Sequence, residues 1–441
     1  MARKDRGPFK PTKATLLALL LSSMLMLMGG AAVAPAIPLI NAVFPDQSFA
    51  VSLIITVPSL AVGLTGMILG TIADRYGKVR TLLASLVLFT VGGVASYFLD
   101  NLMLILVMRF IVGVGIGGIT AAVTALMAEY YTGVARVKVL SYQTAAMGIG
   151  VLILEYTGGS LASISWNAPF LVYLIGIPIM ILCVLSMREP APVDRTPAEG
   201  APVRQTRPAN MRLIAVCYAA TFVCQTISFL VPTQMPTFLE DDSLANHLDT
   251  STVGLLLGMN GVANAVVALF YKRIASHLRP FAILGAGFAC MGVGLVALKL
   301  FPSVAAGVFT LIMIGVAIGL IVPAITNTLA GEATSSTSGK IMGGYSTFLN
   351  FGQFSISLLS VPLLALVDDS IPDLFGIMSV VAFVVAVLFL AYCAKSRRPA
   401  SKASVARGRG AQHGRDRALP AGGEEAGPPR GLLRRVHHAA P

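Results

Sequence analysis

The 441-residue chain is 56% hydrophobic and only 12% charged, with a mean hydropathy of +0.80. Soluble globular chains carry about 25% charged residues, so there is too little charge here to cover a water-facing surface, and too much apolar content for a disordered chain. The net charge of +12 points to a nucleic-acid partner only until it is located: residues 395–441 hold eleven Lys and Arg against Asp416, Glu424 and Glu425, so most of the surplus belongs to a tail.

A helix that crosses a bilayer needs about 20 apolar residues. Stretches of that kind occur at 14–40, 49–73, 80–99, 102–128, 139–163 and 168–187, and again at 211–238, 251–271, 280–299, 303–328, 340–366 and 371–394. The fold class expected is therefore all-α integral membrane, with twelve transmembrane helices. The first stretch is too long for a cleaved leader and lacks a persuasive small-residue cleavage site. It carries Pro35 and Pro38 near its far end, which a membrane helix tolerates when neighbours satisfy the freed carbonyls. Residues 188–210 hold five prolines among mixed charges and read as a flexible linker that divides the helices six and six. Residues 395–441, rich in Arg, Gly, Ala and Pro without a helical period, read as a disordered tail beside anionic headgroups. The expected organisation is a tail at 1–13, a six-helix bundle at 14–187, the linker, a second bundle at 211–394 and the basic tail.

Thirty of the 32 Lys and Arg fall at the termini, in the linker or in the even-numbered connections; Arg109 and Lys299 are the exceptions. The opposite connections carry acids, among them Asp46, Asp100, Glu240, Asp249 and Asp373. Positive charge marks the cytoplasmic side, so both termini are expected in the cytoplasm of a multi-pass protein of the plasma membrane. The halves also resemble each other, as transporter repeats do. The run GVGIGG from Gly113 matches GVAIGL from Gly315, Glu129 matches Glu332, and SYQT from Ser141 matches GYST from Gly344, at nearly constant offset.

Between the second and third stretches stand Gly70, Asp74, Arg75, Gly77, Lys78 and Arg80. A plain cytoplasmic turn accounts for the basic residues but not for the two glycines and the acid at this spacing. The pattern G-x-x-x-D-R-x-G-[RK]-x-[RK] resembles the motif of the major facilitator superfamily. Six plus six helices agree with it over residues 14–394. The resemblance implies two pseudo-symmetric bundles around a central cavity that alternate access between the two membrane faces. It also implies that this loop is a gating latch, with Asp74 facing the start of the eleventh helix at Gly339-Lys340 and favouring the outward-open state. The matching loop of the second half, YKRIASHLRP from Tyr271, has lost the acid.

The fourth stretch carries Arg109 followed by Gly113, Gly115 and Gly117, which resembles the family's arginine–glycine motif. An arginine inside a membrane helix is costly and functional by default, unless it reaches out to headgroups. The glycines let helices approach closely. In the fifth stretch Gly150, Gly158 and Gly159 fit the antiporter pattern G-x-x-x-G-P-x-x-G-G, but Leu154 replaces a glycine and Glu155 the proline. Glu155 lies well inside a span, roughly 12 Å from its end by helix rise, at a depth similar to Arg109. An Arg109–Glu155 pair is geometrically possible. Burial opposes the ionised carboxylate and the arginine favours it, a competition that suits a proton-coupling site; a static pair that only stabilises the bundle is the alternative. Gln225, Asn260, Asn327, Tyr345, Asn350 and Gln353 are candidates to line a substrate cavity, or else hydrogen bonds between helices. Met24, Met26 and Met28 hint at a broad choice of ligand.

No phosphate loop is present, so direct ATP drive is not expected, and the five histidines and five cysteines show no metal-ligand spacing. No cofactor, metal or enzyme activity is expected. The reading is a secondary active transporter resembling the twelve-helix drug:proton antiporters, a proton-coupled exporter of lipophilic or cationic small molecules. An importer of a small polar or organic-anion metabolite is the alternative. A non-transporting receptor or scaffold is the alternative of another class. The partners expected are a small-molecule substrate, protons and the lipid bilayer, without nucleic acid and as a monomer.

Overall fold

A computed structural model describes residues 11–190, 210–240, 248–333 and 337–395. The linker from 191, the tail from 396 and the first ten residues, for which tails and a linker are expected, lie outside the described residues. Among the described residues the chain is helical, without strands, and twelve helices are long and apolar enough to cross a membrane. They are α1 (Lys13–Val43), α2 (Pro45–Tyr76), α3 (Lys78–Phe98), α4 (Leu102–Tyr130), α5 (Gly133–Ala162) and α6 (Ala168–Ser186). The second set is α7 (Met211–Leu239), α8 (Thr250–Ala275), α9 (Pro280–Leu300), α10 (Val304–Glu332), α11 (Ser338–Ala365) and α12 (Ile371–Lys395).

Local sequence explains the helix ends. Thr12 and Thr15 form a reciprocal capping box at α1, the Asn101 side chain accepts from the Met103 and Leu104 amides at α4, and Ser303 accepts from Ala306 at α10. Each satisfies amide groups that a helix start leaves free. Gly77 separates α2 from α3 at φ +112°, a conformation only glycine enters without strain. Two helices depart from a single regular rod. The stretch read as one apolar run at 14–40 is broken: regular helix ends at Met24, short turns follow, and Pro35 starts a 3₁₀ turn. The first half of α6 is likewise 3₁₀.

Within the first bundle α4 packs on α2 and α3, and α5 on α1; within the second, α10 packs on α8 and α9, and α7 on α11. The sequence repeat marks this equivalence. A Cβ on Gly113 would lie 2.3 Å from the Pro58 carbonyl oxygen of α2, and one on Gly315 would lie 2.4 Å from the Asn260 carbonyl oxygen of α8. Each glycine brings its helix against the second helix of its own half.

The bundles meet through α2 with α11 and α5 with α8, and α7 packs on the broken part of α1. Thr56 and Ser357 hydroxyls are 2.8 Å apart, Ser59 donates to Gln353 at 2.7 Å, and Ser357 donates to the Ser52 carbonyl at 3.1 Å. The α5–α8 approach runs from Gly159 against Thr250 to Gly148 against Ala265. The α2–α11 bonds lie in the halves remote from the termini, and the α5–α8 approach runs from that end to the middle of the two helices. Nearer the termini a Cβ on Gly343 of α11 would be in ordinary contact with Met67 of α2, at 3.5 Å, whereas one on Gly66 or Gly70 would meet nothing within 4 Å.

Candidate functional site

Arg109 is fully buried in α4, so it does not reach headgroups. Its Nη1 donates to the Tyr173 hydroxyl of α6 at 2.7 Å, and Tyr173 donates to the Met28 carbonyl at 3.1 Å, in the broken stretch of α1. The guanidinium also stacks over the rings of Tyr173 and Phe170, at 4.6 and 5.0 Å from their centroids. A phenol hydroxyl and two aromatic faces thus surround a buried cation, favourable partners for a planar guanidinium, and the hydroxyl carries the link on to the Met28 carbonyl. The remaining donors, Nε and Nη2, are buried without an acceptor.

Glu155 of α5 is 5% exposed, and its Oε2 is buried without a hydrogen-bond partner. The pair with Arg109 that similar depth allows is not formed: no ion pair or hydrogen bond joins the two side chains. The reason is rotational. Arg109 turns toward α6 and α1, while the backbone at Glu155 packs against Gly254 of α8. Around it, Gly150 meets Met24, Gly158 meets the Ala32 carbonyl and Gly159 meets the Thr250 carbonyl, with Cβ separations of 2.8, 2.0 and 2.2 Å. These glycines, like Gly113 and Gly115, sit where helices approach closely; Gly117 has a little more room, 3.3 Å from Leu69.

The six neutral candidates divide. Asn260 donates to the Leu311 carbonyl, Asn350 to the Ser346 carbonyl of its own helix, and Gln353 accepts from Ser59, so these three are engaged within the protein. Asn327 lies beside the Tyr271 hydroxyl. Gln225 and Tyr345 are brought together with Thr221 and Cys224 between α7, α10 and α11, in a crevice too narrow to hold a water molecule. In α5, Gln143 approaches the Met26 sulfur at 3.9 Å, which puts one of the noted methionines beside a polar group.

At the terminus-bearing end, Lys78 pairs with Glu129 of α4 and lies 3.6 Å from Asp74. Arg75 stands over the Tyr76 ring, 5.7 Å from its centroid. The helix start that receives a carboxylate most directly is that of α3. Glu189 accepts from the Lys78 amide and, at 3.0 Å, from the Val79 amide. A Cβ at Gly77 would lie 2.8 Å from that carboxyl carbon. In the second half Glu332, the repeat partner of Glu129, instead accepts from the Asn210 amide at 2.9 Å. The two halves keep an acid at the same place and use it differently.

A family model described as Major Facilitator Superfamily matches residues 19–354 and 234–436. The chain belongs to the major facilitator superfamily. It is a transporter with that family's fold, embedded in a membrane and acting on small molecules, and not an enzyme. This facilitator is 28% identical over 297 residues to a class G tetracycline resistance protein of Vibrio anguillarum, covering 65% of this chain and 73% of that one. It is 25% identical to the 4-hydroxybenzoate transporter PcaK of Pseudomonas aeruginosa, over 53% of this chain and 62% of that one. Among solved structures, a variant of the nucleoside transporter NupG aligns with a TM-score of 0.72 at 10% identity, over 85% of this chain and 99% of that one. The inward-open xylose transporter XylE from E. coli aligns at 0.69 and 14%, over 88% and 96%.

Three residues whose surroundings the structure singles out escape a reading of the sequence. Tyr173 is one tyrosine in an apolar stretch; its signal is that a buried phenol needs a partner. Glu189 follows the sixth helix and reads as linker. Glu240 reads as an outer loop acid, yet its Oε1 is buried and unpartnered, and burial pushes its carboxyl up to about 7.

Proposed function

We propose that this facilitator is a proton-coupled exporter of lipophilic or cationic small molecules. It acts as a monomer in the plasma membrane, with both termini in the cytoplasm. The observation that carries the reading is Glu155, an acid kept deep in a span without a cation beside it. Such a group is expensive to keep, and proton transfer is the task that needs it. The polar side chains gathered at Gln225 and Tyr345 are neutral, and Arg109 is stacked under aromatic rings. That arrangement favours lipophilic or cationic cargo over anions. The tetracycline resistance relative fits export. The 4-hydroxybenzoate relative supports the second reading, import of an organic anion, which needs an accessible cation.

With the termini inside, the closest approaches between the halves lie toward the outer face and the middle of the bilayer, and the latch of Asp74 and its neighbours is assigned to the state in which the cytoplasmic ends close. Inside-out proteoliposomes with an acid lumen test the function. Tetracycline or a lipophilic cation should accumulate and leak away when the gradient collapses, and Glu155→Gln should exchange cargo downhill only. Accumulation of 4-hydroxybenzoate by right-side-out vesicles, with none of the cations moved, would replace export by import.

A further inference from the structure

The seam between α5 and α8 is built for contact of bare backbones. Cβ atoms at Gly159, Gly254 and Gly258 would lie 2.2 Å from the Thr250 carbonyl, 2.3 Å from the Glu155 carbonyl and 2.4 Å from Leu152. One at Gly148 would lie 2.6 Å from Ala265. Glu155 stands in the middle of this strip, between Leu152 and Gly159, where helices packed so closely leave little room for water.

Its electrical surroundings are equally bare. Charged or titratable side chains on the elements packed against α5 are Lys13 of α1, Arg109, Glu129 and Tyr130 of α4, and Tyr173 and Cys183 of α6. On α8 they are Tyr271, Lys272 and Arg273 at one end and Asp249 at the other. On α5 itself they are Arg136, Lys138, Tyr142 and Tyr156. Among the described residues none forms an ion pair or a hydrogen bond with Glu155. Arg109, the cation at similar depth, is committed to Tyr173. An ionised carboxylate packed there gives up hydration without gaining a counter-charge; a neutral acid avoids most of that cost.

We propose that Glu155 is a proton-operated lock on the α5–α8 seam: the seam closes around the neutral acid and parts when the acid ionises. The inference deepens the coupling role given to Glu155 and rests on that assignment for its place in the transport cycle. Only one form of the acid fits the closed seam, whereas both forms fit a separated, hydrated one. Closure and proton binding are therefore linked. In the cycle, the outward-open protein takes one proton from outside, and the bound proton licenses closing of the outer half.

Nitroxide labels at Ser163→Cys and Ser251→Cys, flanking the remote end of the seam, would report its width by pulsed dipolar spectroscopy from pH 5 to pH 9. The open population of the otherwise unaltered protein should rise with pH, by up to about tenfold per pH unit. Glu155→Gln and the apolar Glu155→Met should both show a seam weighted toward the closed form to an extent that does not change with pH, while still opening for exchange, and Glu240→Gln should keep the full response. A seam equally closed at pH 5 and pH 9, or a pH response that survives in both neutral variants, overturns the lock. Transport separates this from the coupling role. If Glu155→Gln loses uphill accumulation while the seam ignores pH, the lock alone fails. If the seam responds to pH but accumulation survives in Glu155→Gln, the coupling role alone fails.

Discussion

The Arg109 guanidinium donates to the Tyr173 hydroxyl across 2.7 Å, and the same hydroxyl donates onward to the Met28 carbonyl. One phenol therefore ties a buried charge in α4 to the place where α1 loses its regular helix. The broken α1 exposes carbonyls that its own backbone cannot satisfy, and the arginine needs an acceptor that does not expose it. Each solves the other's problem through a residue on a third helix.

Tyr173→Phe should remove both bonds while keeping the ring over Gly93. Hydrogen bonds to charged groups are worth about 1.5–3 kcal/mol, so the purified variant should melt several degrees lower. Arg109→Met, which removes the buried charge as well, should cost less in the Tyr173→Phe background than alone. A double-mutant cycle on melting temperature measures the coupling.

The glycines separate packing from switching. Gly113→Ala places a methyl 2.3 Å from the Pro58 carbonyl, an overpacking that costs about 1–3 kcal/mol and should lower the yield of folded protein. Gly70→Ala meets nothing within 4 Å and should fold as well as the parent. Closure against α11 in the opposite state would make Gly70→Ala slow in transport at unchanged melting temperature. Normal transport by Gly70→Ala would remove that glycine from the latch.

Glu189→Ala should loosen the start of α3. Loss of a capping carboxylate costs about 0.5–2 kcal/mol, and 1 kcal/mol is about a fivefold change in local opening. Hydrogen exchange at the amides of residues 78–80 should quicken by that order, while the equivalent turn at 276–282 stays unchanged.

Glu240 gives a pH signature outside the spans. Its folded-state value, about 7, lies above the ordinary 4.5, so between those limits the folded state holds more protons than the unfolded one and stability falls as pH rises. Glu240→Gln should raise the melting temperature at pH 8 and change it little at pH 4.5. An equal gain at both values would mean that burial of the charge is not the cause.

Topology is checked by labelling. Gln47→Cys, exposed in the first turn of α2, should react with an impermeant maleimide in intact cells, and Thr132→Cys should not. Four of the native cysteines are buried, so the background is low. The opposite pattern would invert the protein.

Hydropathy and charge position alone determined that this chain is a twelve-helix membrane protein in two halves, because each span must satisfy its backbone by itself and therefore announces its length. The loop around Asp74 and the offset between Gly113 and Gly315 were equally legible, being short-range patterns. Rotation about the helix axis was not. Arg109 and Glu155 share a depth, yet which neighbour each faces depends on how α4 and α5 pack on α1, α6 and α8. Only the tertiary structure gave Arg109 to Tyr173, left Glu155 between glycine-lined backbones, and spent Asn260, Asn350 and Gln353 on bonds within the protein. A hydropathy profile records how deep a side chain lies, while partnership in a helical bundle is settled by angle, and the angle is fixed by contacts between residues far apart in the chain.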